Sequence, residues 1–108
     1  MADPPPVMPA VVMNQATQRF EAALDGEVAF AEYRLHAGWI TLPHTVVPPA
    51  FEGKGVGSAL AQAALGYARE HGLMVKPICP FIAGYIGKHP EWHDLVHPEF
   101  RGRLGLPG

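Results

Sequence analysis

"PPAFEGKGVGSALAQAALGYAREHG", residues 48–72, is the stretch whose reading decides the fold of this chain. Gly53, Gly55 and Gly57 alternate along it, and an alanine-rich run follows at once. Val56, Leu60, Ala63, Ala64, Tyr67 and Ala68 recur at helical spacing, and Gly72 after His71 suits a helix C-cap. A glycine turn that opens a helix exposes several unpaired backbone N–H groups, and the helix dipole adds positive potential there. Such a turn suits a phosphate, which small side chains allow to approach the backbone closely. Two familiar phosphate loops do not fit. The P-loop needs Lys followed by Ser or Thr, and Lys54 is followed by Gly55. The dinucleotide fingerprint G-x-G-x-x-G fails because the three glycines are evenly spaced and no βαβ start precedes them.

Upstream of the turn the period is that of strands. "ATQRFEAAL" (Ala16–Leu24) partly alternates and breaks at Asp25-Gly26, a hairpin dipeptide. In "EVAFAEYRLHAG" the residues Val28, Phe30, Glu32, Arg34 and His36 fall on one face, and Ala29, Ala31, Tyr33 and Leu35 on the other. "WITLPHTVV" (Trp39–Val47) is rich in β-branched and aromatic residues. Downstream, "LMVKPIC" (Leu73–Cys79) reads as a short central strand, and Pro80 opens a second helix, "PFIAGYIGKH", that stops before Pro90. "PEWHDLV" (Pro90–Val96) reads as a turn of helix or a loop with Trp92 and Leu95 packing back on the core. The order is β-β-β-α-β-α, an α/β fold with a mixed sheet. Residues 1–12 read as a loose proline-rich lead, 13–100 as the single folded domain, and 101–108 as a frayed tail.

Composition narrows the function classes. The chain has 108 residues, of which 48% are hydrophobic and 17% charged, as an ordinary soluble domain requires. A net charge of −2 provides no basic field for nucleic acid or an anionic membrane. No apolar run reaches the roughly 18 residues of a membrane span. The start lacks a basic region and is broken by Pro4, Pro5, Pro6 and Pro9, so it does not read as a signal peptide. Cys79 is the sole cysteine, which rules out an internal disulfide and points to the reducing cytoplasm.

The segment from His44 to Trp92 closely resembles the small GCN5-related N-acetyltransferase-like proteins, the short single-domain branch of that superfamily. "FEGKGVGSAL" is similar to motif A, R/Q-x-x-G-x-G/A, with Gly55 and Gly57 at the two small positions and Glu52 where Arg or Gln is usual. "HTVVP", "PICPF" and "YIGKHPEW" resemble the flanking pieces in the right order. The resemblance implies a three-layer fold with a cleft for acetyl-CoA between splayed strands. The pyrophosphate would rest on the turn formed by Gly53, Lys54, Gly55, Val56, Gly57 and Ser58. The pantetheine arm would lie between the strand ending at Val46-Val47 and the one running from Val75 to Cys79. Lys54 either contacts a phosphate or stands solvated, and Glu52, repelled by the anion, is expected to point away.

Acetyl transfer from a thioester needs a placed nucleophile, donors for the oxyanion and an acid for the departing thiolate. Cys79 precedes a proline-initiated helix whose N-terminus favours a thiolate, and the resemblance implies a catalytic part for it; the alternative is a small buried hydrophobe. Tyr85 falls where larger relatives keep a general acid, or else it packs on a helix face. His44 would act as general base toward an incoming ammonium, or order its loop. His89, His93 and His97 recur every four residues, but Pro90 and Pro98 break the register, so no metal site is expected. The implied activity is transfer of acetyl from acetyl-CoA to an amine of a small molecule or a protein, by a monomer or weak dimer. The alternative is a non-catalytic acyl-CoA-binding or interaction module with the same fold.

Overall fold

The computed structural model describes residues 10–24 and 26–107, so Asp25 of the hairpin dipeptide and all of the proline-rich lead before Ala10 lie outside the described residues. Among the described residues there are five strands: β1 (Val12–Asn14), β2 (Arg19–Leu24), β3 (Glu27–His36), β4 (Trp39–Val46) and β5 (Met74–Lys76). They lie in the order β1-β2-β3-β4-β5, antiparallel through β4 and parallel between β4 and β5. The strand β1 was not expected; it pairs with β2, Val12 opposite Glu21, so the sheet includes the last residue of the expected lead.

The helix α1 (Val56–Glu70) lies between β4 and β5 in the chain, as the periodicity requires. Val56, Leu60, Ala61, Ala64, Leu65 and Ala68 are its buried stripe, and they meet Phe20, Ala22, Ala29, Ala31, Ile40 and Leu42 of the sheet. Small residues on both sides bring helix and sheet close. Gly72, at φ +66, closes the helix: Leu73 N–H donates to the Ala68 carbonyl at 2.8 Å and Gly72 N–H to Arg69 at 3.3 Å, the paired bonds of a Schellman motif.

After β5 come α2 (Pro80–Lys88), a 3-10 segment from Pro90 to Leu95, and a bridge from Val96 to Val75 that is parallel to β5. The crossovers β4–α1–β5 and β5–α2–Val96 advance in one direction across the sheet, and right-handed crossovers that do so leave their helices on one face. The contacts agree: α1 touches both α2 and the 3-10 segment, and Arg69 donates to both carboxylate oxygens of Asp94 at 3.0 and 2.9 Å. Those bonds hold the Asp94 carboxyl below its ordinary range. The described residues therefore form two layers where the resemblance implies three. The other sheet face carries Arg19, whose guanidinium stands 3.8 Å from the Phe30 ring, together with Glu32, Arg34 and an exposed His44.

Of the expected frayed tail, residues 101–104 are helical. The short helix α3 (Pro98–Arg101) continues into a 3-10 turn over Gly102–Leu104, and Gly105 at φ +71 ends it with Leu106 N–H on the Arg101 carbonyl at 2.9 Å. Leu104 and Leu106 pack against the core, which is why the segment holds.

A bulge in β4 decides the site. Glu32 of β3 pairs with His44 and Arg34 pairs with Thr41, so two steps of β3 face three of β4. The extra residue falls at Leu42-Pro43, where proline has no N–H to lose from the ladder. Ile40 and Leu42 face α1 before the bulge. Beyond it Thr45, opposite buried Ala31, takes that face and His44 takes the other.

Candidate functional site

The turn before α1 is built in two steps. A 3-10 turn at Pro49–Phe51 drives the Phe51 ring into the core, and Glu52 and Lys54 N–H groups donate back to Pro49 and Phe51 carbonyls at 3.1 and 3.3 Å. Gly53 and Gly55 then adopt φ of +74 and +73, conformations that a side chain would strain. The helix starts with Gly55 as its N-cap and no side chain capping it. Ala59 N–H closes on the Gly55 carbonyl at 3.0 Å. Among the described residues the N–H groups of Gly53, Gly55, Val56, Gly57 and Ser58 have no acceptor.

All five of those residues line one cleft of about 370 Å³. Thr45, Val47, Phe51, Glu52 and Phe81 complete its wall. The cleft opens where the sheet does. The β4–β5 ladder ends at Thr41 and Lys76, a last bond joins Cys79 N–H to the Leu42 carbonyl at 2.9 Å, and β4 then runs on to Val46 with no partner on that side among the described residues. The divergence expected between the Val46-Val47 strand end and the Val75–Cys79 segment is thus present, with its apex at Leu42.

Of the residues singled out for a cofactor, Val47, Gly53, Gly55, Val56, Gly57 and Ser58 line this cleft, whereas Val46, Lys54 and Cys79 do not. Glu52, expected to point away from the anion, is an exposed residue at the edge of this cleft beside Gly53. Its backbone is extended at the end of the 3-10 turn, φ −62 and ψ 142.

Cys79, at the N-cap position of α2, is 5% exposed, and its thiol donates to Thr45 Oγ1 at 3.4 Å. Tyr85 is 8% exposed and lines a second cavity of about 300 Å³ with Ser58, Phe81, Lys88 and His89. Ser58 and Phe81 belong to both cavities, so the two are neighbours across the Phe81 ring. The Tyr85 ring stacks on His89 with centroids 4.0 Å apart. His44, exposed on the far sheet face with Phe30 at 6.2 Å, is not brought to the cleft; the bulge at Pro43 is the reason.

The three histidines at four-residue intervals diverge. His89 Nδ1 bonds the Tyr85 carbonyl at 2.7 Å, His93 Nε2 bonds the Ile86 carbonyl at 2.8 Å, and His97 Nδ1 accepts from Glu99 N–H at 3.2 Å. Among the described residues no group of His, Cys, Asp and Glu is gathered to hold a metal ion, and no helix is long and apolar enough to cross a membrane.

Phe81 escaped the sequence reading. It is 44% exposed, and a Cβ on Gly57 would stand only 2.7 Å from its Cζ, so the ring lies directly on the glycine of α1. The signal for it was its place off the Ile82, Tyr85, Ile86 stripe that α2 buries.

Residues 19–95 match the family model described as GCN5-related N-acetyl-transferase. The chain is 34% identical over 84 residues to Protein NATD1 of Gallus gallus, covering 78% of this chain and 76% of the relative. It is 34% identical over 77 residues to Protein NATD1 of Homo sapiens, covering 71% of this chain and 67% of the relative. With Protein NATD1 of Danio rerio the identity is 28% over 91 residues, 84% of this chain and 76% of the relative.

Proposed function

The chain belongs to the GCN5-related N-acetyltransferase family, and from that membership we propose that it transfers acetyl from acetyl-CoA to an amine. The observation that carries the reading is the row of five unpaired N–H groups at Gly53, Gly55, Val56, Gly57 and Ser58 on the wall of one cleft. A pyrophosphate meets such a row with several charge-assisted bonds at once and lies at the positive end of α1. The pantetheine arm then follows the unpartnered side of β4 from Val47 past Val46 and Thr45 toward the apex at Leu42. At about 3.3 Å per strand residue that path is roughly 15 Å, enough for an arm made of two amides and a cysteamine.

In the reaction the amine nitrogen attacks the thioester carbonyl carbon, the C–S bond breaks, and its electron pair leaves on the CoA sulfur. The nitrogen gives up a proton and the sulfur gains one. His44 stands on the open sheet face beside the splay, the side from which an acceptor reaches the carbonyl, and we assign it the nitrogen's proton. Tyr85 supplies the phenol on the wall of the neighbouring cavity and is assigned the sulfur's. The two-layer build leaves that acceptor side open, which favours an amine on a macromolecule over a small molecule held in a closed pocket.

Calorimetry with CoA tests the placement. The wild type binds, and Gly55→Asp, which sets a carboxylate among the five donors, loses binding while its far-ultraviolet spectrum is kept. Equal affinity in the two proteins overturns it. A second reading, an acyl-CoA-binding module without turnover, is favoured by the burial of Cys79 and by the place of His44 on the sheet face opposite the one that lines the cleft. Labelled acetyl-CoA incubated with a peptide and amine mixture separates the two. Label in an amine product supports the transferase; bound cofactor without labelled product supports the module.

A further inference from the structure

Thr45 sits between the two features of the site that the fold alone creates, the cleft and the splay. Its side chain is half-buried, it lines the cleft, and it is opposite Ala31 on the face toward α1. The Cys79 thiol donates to its Oγ1 at 3.4 Å. A hydroxyl has one hydrogen to give, and one that accepts from the thiol keeps that hydrogen for another partner. Among the described residues no acceptor takes it. The cleft that Thr45 lines lies beside that hydroxyl. A threonine is also stiff at χ1, so packing against strand neighbours and the thiol contact together hold the hydroxyl in one place.

Resting on the acyl-CoA reading above, we infer that Thr45 donates its hydroxyl hydrogen to the first amide carbonyl of the pantetheine arm, and that Cys79 is a positioning residue that holds Thr45 rather than a carrier of the acyl group. The reach decides which carbonyl. An amide-linked chain advances about 3.5 Å per unit when extended. A cleft of about 370 Å³ that already receives the pyrophosphate at Gly53–Ser58 has room for the first amide of the arm, and the thioester lies farther on. The contact therefore recognises the arm and is indifferent to the acyl group. It also explains why a thiol stands there. A serine hydroxyl at 79 would compete as a second strong donor and acceptor, whereas S–H is a weak donor that orients Thr45 without claiming its hydrogen.

The experiment measures binding of CoA, acetyl-CoA and ADP to wild type, Thr45→Val, Thr45→Ser and Cys79→Ala by calorimetry. ADP carries a pyrophosphate without the arm and serves as a control for the glycine turn and for folding. Thr45→Val keeps the shape and loses the donor, and its CoA and acetyl-CoA affinities fall equally, by about 5- to 30-fold, with ADP unchanged. Thr45→Ser stays within about threefold of wild type. Cys79→Ala weakens CoA by a smaller factor, and its effect disappears in the Thr45→Val background, since the thiol acts only through that hydroxyl. Unchanged CoA affinity in Thr45→Val overturns the inference while leaving the acyl-CoA reading intact. Loss confined to acetyl-CoA also overturns it, by moving the contact to the thioester. An acetyl group found covalently on Cys79 after incubation with acetyl-CoA overturns the positioning role. Absence of CoA binding in the wild type overturns the acyl-CoA reading itself.

Discussion

Glu52 stands where the family motif has Arg or Gln, and it is exposed at the edge of the cleft beside Gly53. A carboxylate there repels the pyrophosphate. Glu52→Gln should therefore tighten CoA binding by about two- to fivefold at low salt, the effect of one screened unit charge, and the gain should shrink as ionic strength shortens the Debye length below about 10 Å. Titrating CoA at two salt concentrations checks both parts; an unchanged affinity means that the carboxylate faces solvent. Tyr85 is a different kind of residue, because its ring and its hydroxyl serve separate ends. The ring stacks on His89 and is nearly buried, neither of which needs the oxygen. Tyr85→Phe should keep thermal stability and CoA affinity while turnover falls on the order of 10²-fold, the usual effect of losing a general acid. Wild-type turnover in that variant would leave Tyr85 as packing alone and solvent as the proton source.

At the scale of elements, the two main helices end alike. Tyr67 and His71 stack at 4.0 Å with His71 Nδ1 on the Tyr67 carbonyl at 2.9 Å, and Tyr85 and His89 repeat the arrangement at 4.0 and 2.7 Å. In each case an imidazole bonds a carbonyl of the last helical turn, one that at Tyr67 also accepts the His71 N–H at 3.0 Å, and its ring covers the tyrosine one turn back. Beyond His71 the chain reverses at Gly72 and feeds β5. At Gly72 a Cβ would meet nothing within 4 Å, so only the φ of +66 resists a side chain. Gly72→Ala should cost about 1 kcal/mol, which in a domain of this size lowers Tm by about 4–8 °C. Thermal unfolding followed by circular dichroism checks it, and CoA affinity should hold because the turn at Gly55 lies at the opposite end of α1.

For the whole molecule, the order of the C-terminal segment and the openness of one sheet face belong together. A chain with two layers has one helical side to shield its core, and Phe100, Leu104 and Leu106 close that side where α2 ends. Truncation after Gly102 removes both leucines and the Schellman closure at Gly105, and should lower stability by about 1–3 kcal/mol through lost apolar burial. Chemical denaturation of the truncated and full chains measures it, and equal midpoints would return the segment to the frayed tail that its composition suggests. The opposite face, with Arg19 over Phe30 and with Lys76 4.5 Å above the Trp39 ring, keeps charged groups over its aromatic rings instead of a third layer.

Periodicity and glycine placement carried the local structure. The alternation of Ala29, Ala31 and Tyr33, the stripe along α1, the stop at Gly72 and the donor-rich turn at Gly53–Ser58 each depend on a few neighbouring residues, whose steric and hydrogen-bonding preferences act within one turn or one hairpin. The motif in that turn was legible for the same reason, and with it the family. Three things waited for the tertiary structure. The bulge at Leu42-Pro43 exchanges the faces of His44 and Thr45, because an alternation counted along one strand says nothing about an extra residue accommodated by its neighbour. The layer count follows from two crossovers advancing the same way, a property of chain path rather than of any segment. The meeting of Cys79 with Thr45 spans 34 positions, and only the closing of β5 against β4 brings them within 3.4 Å.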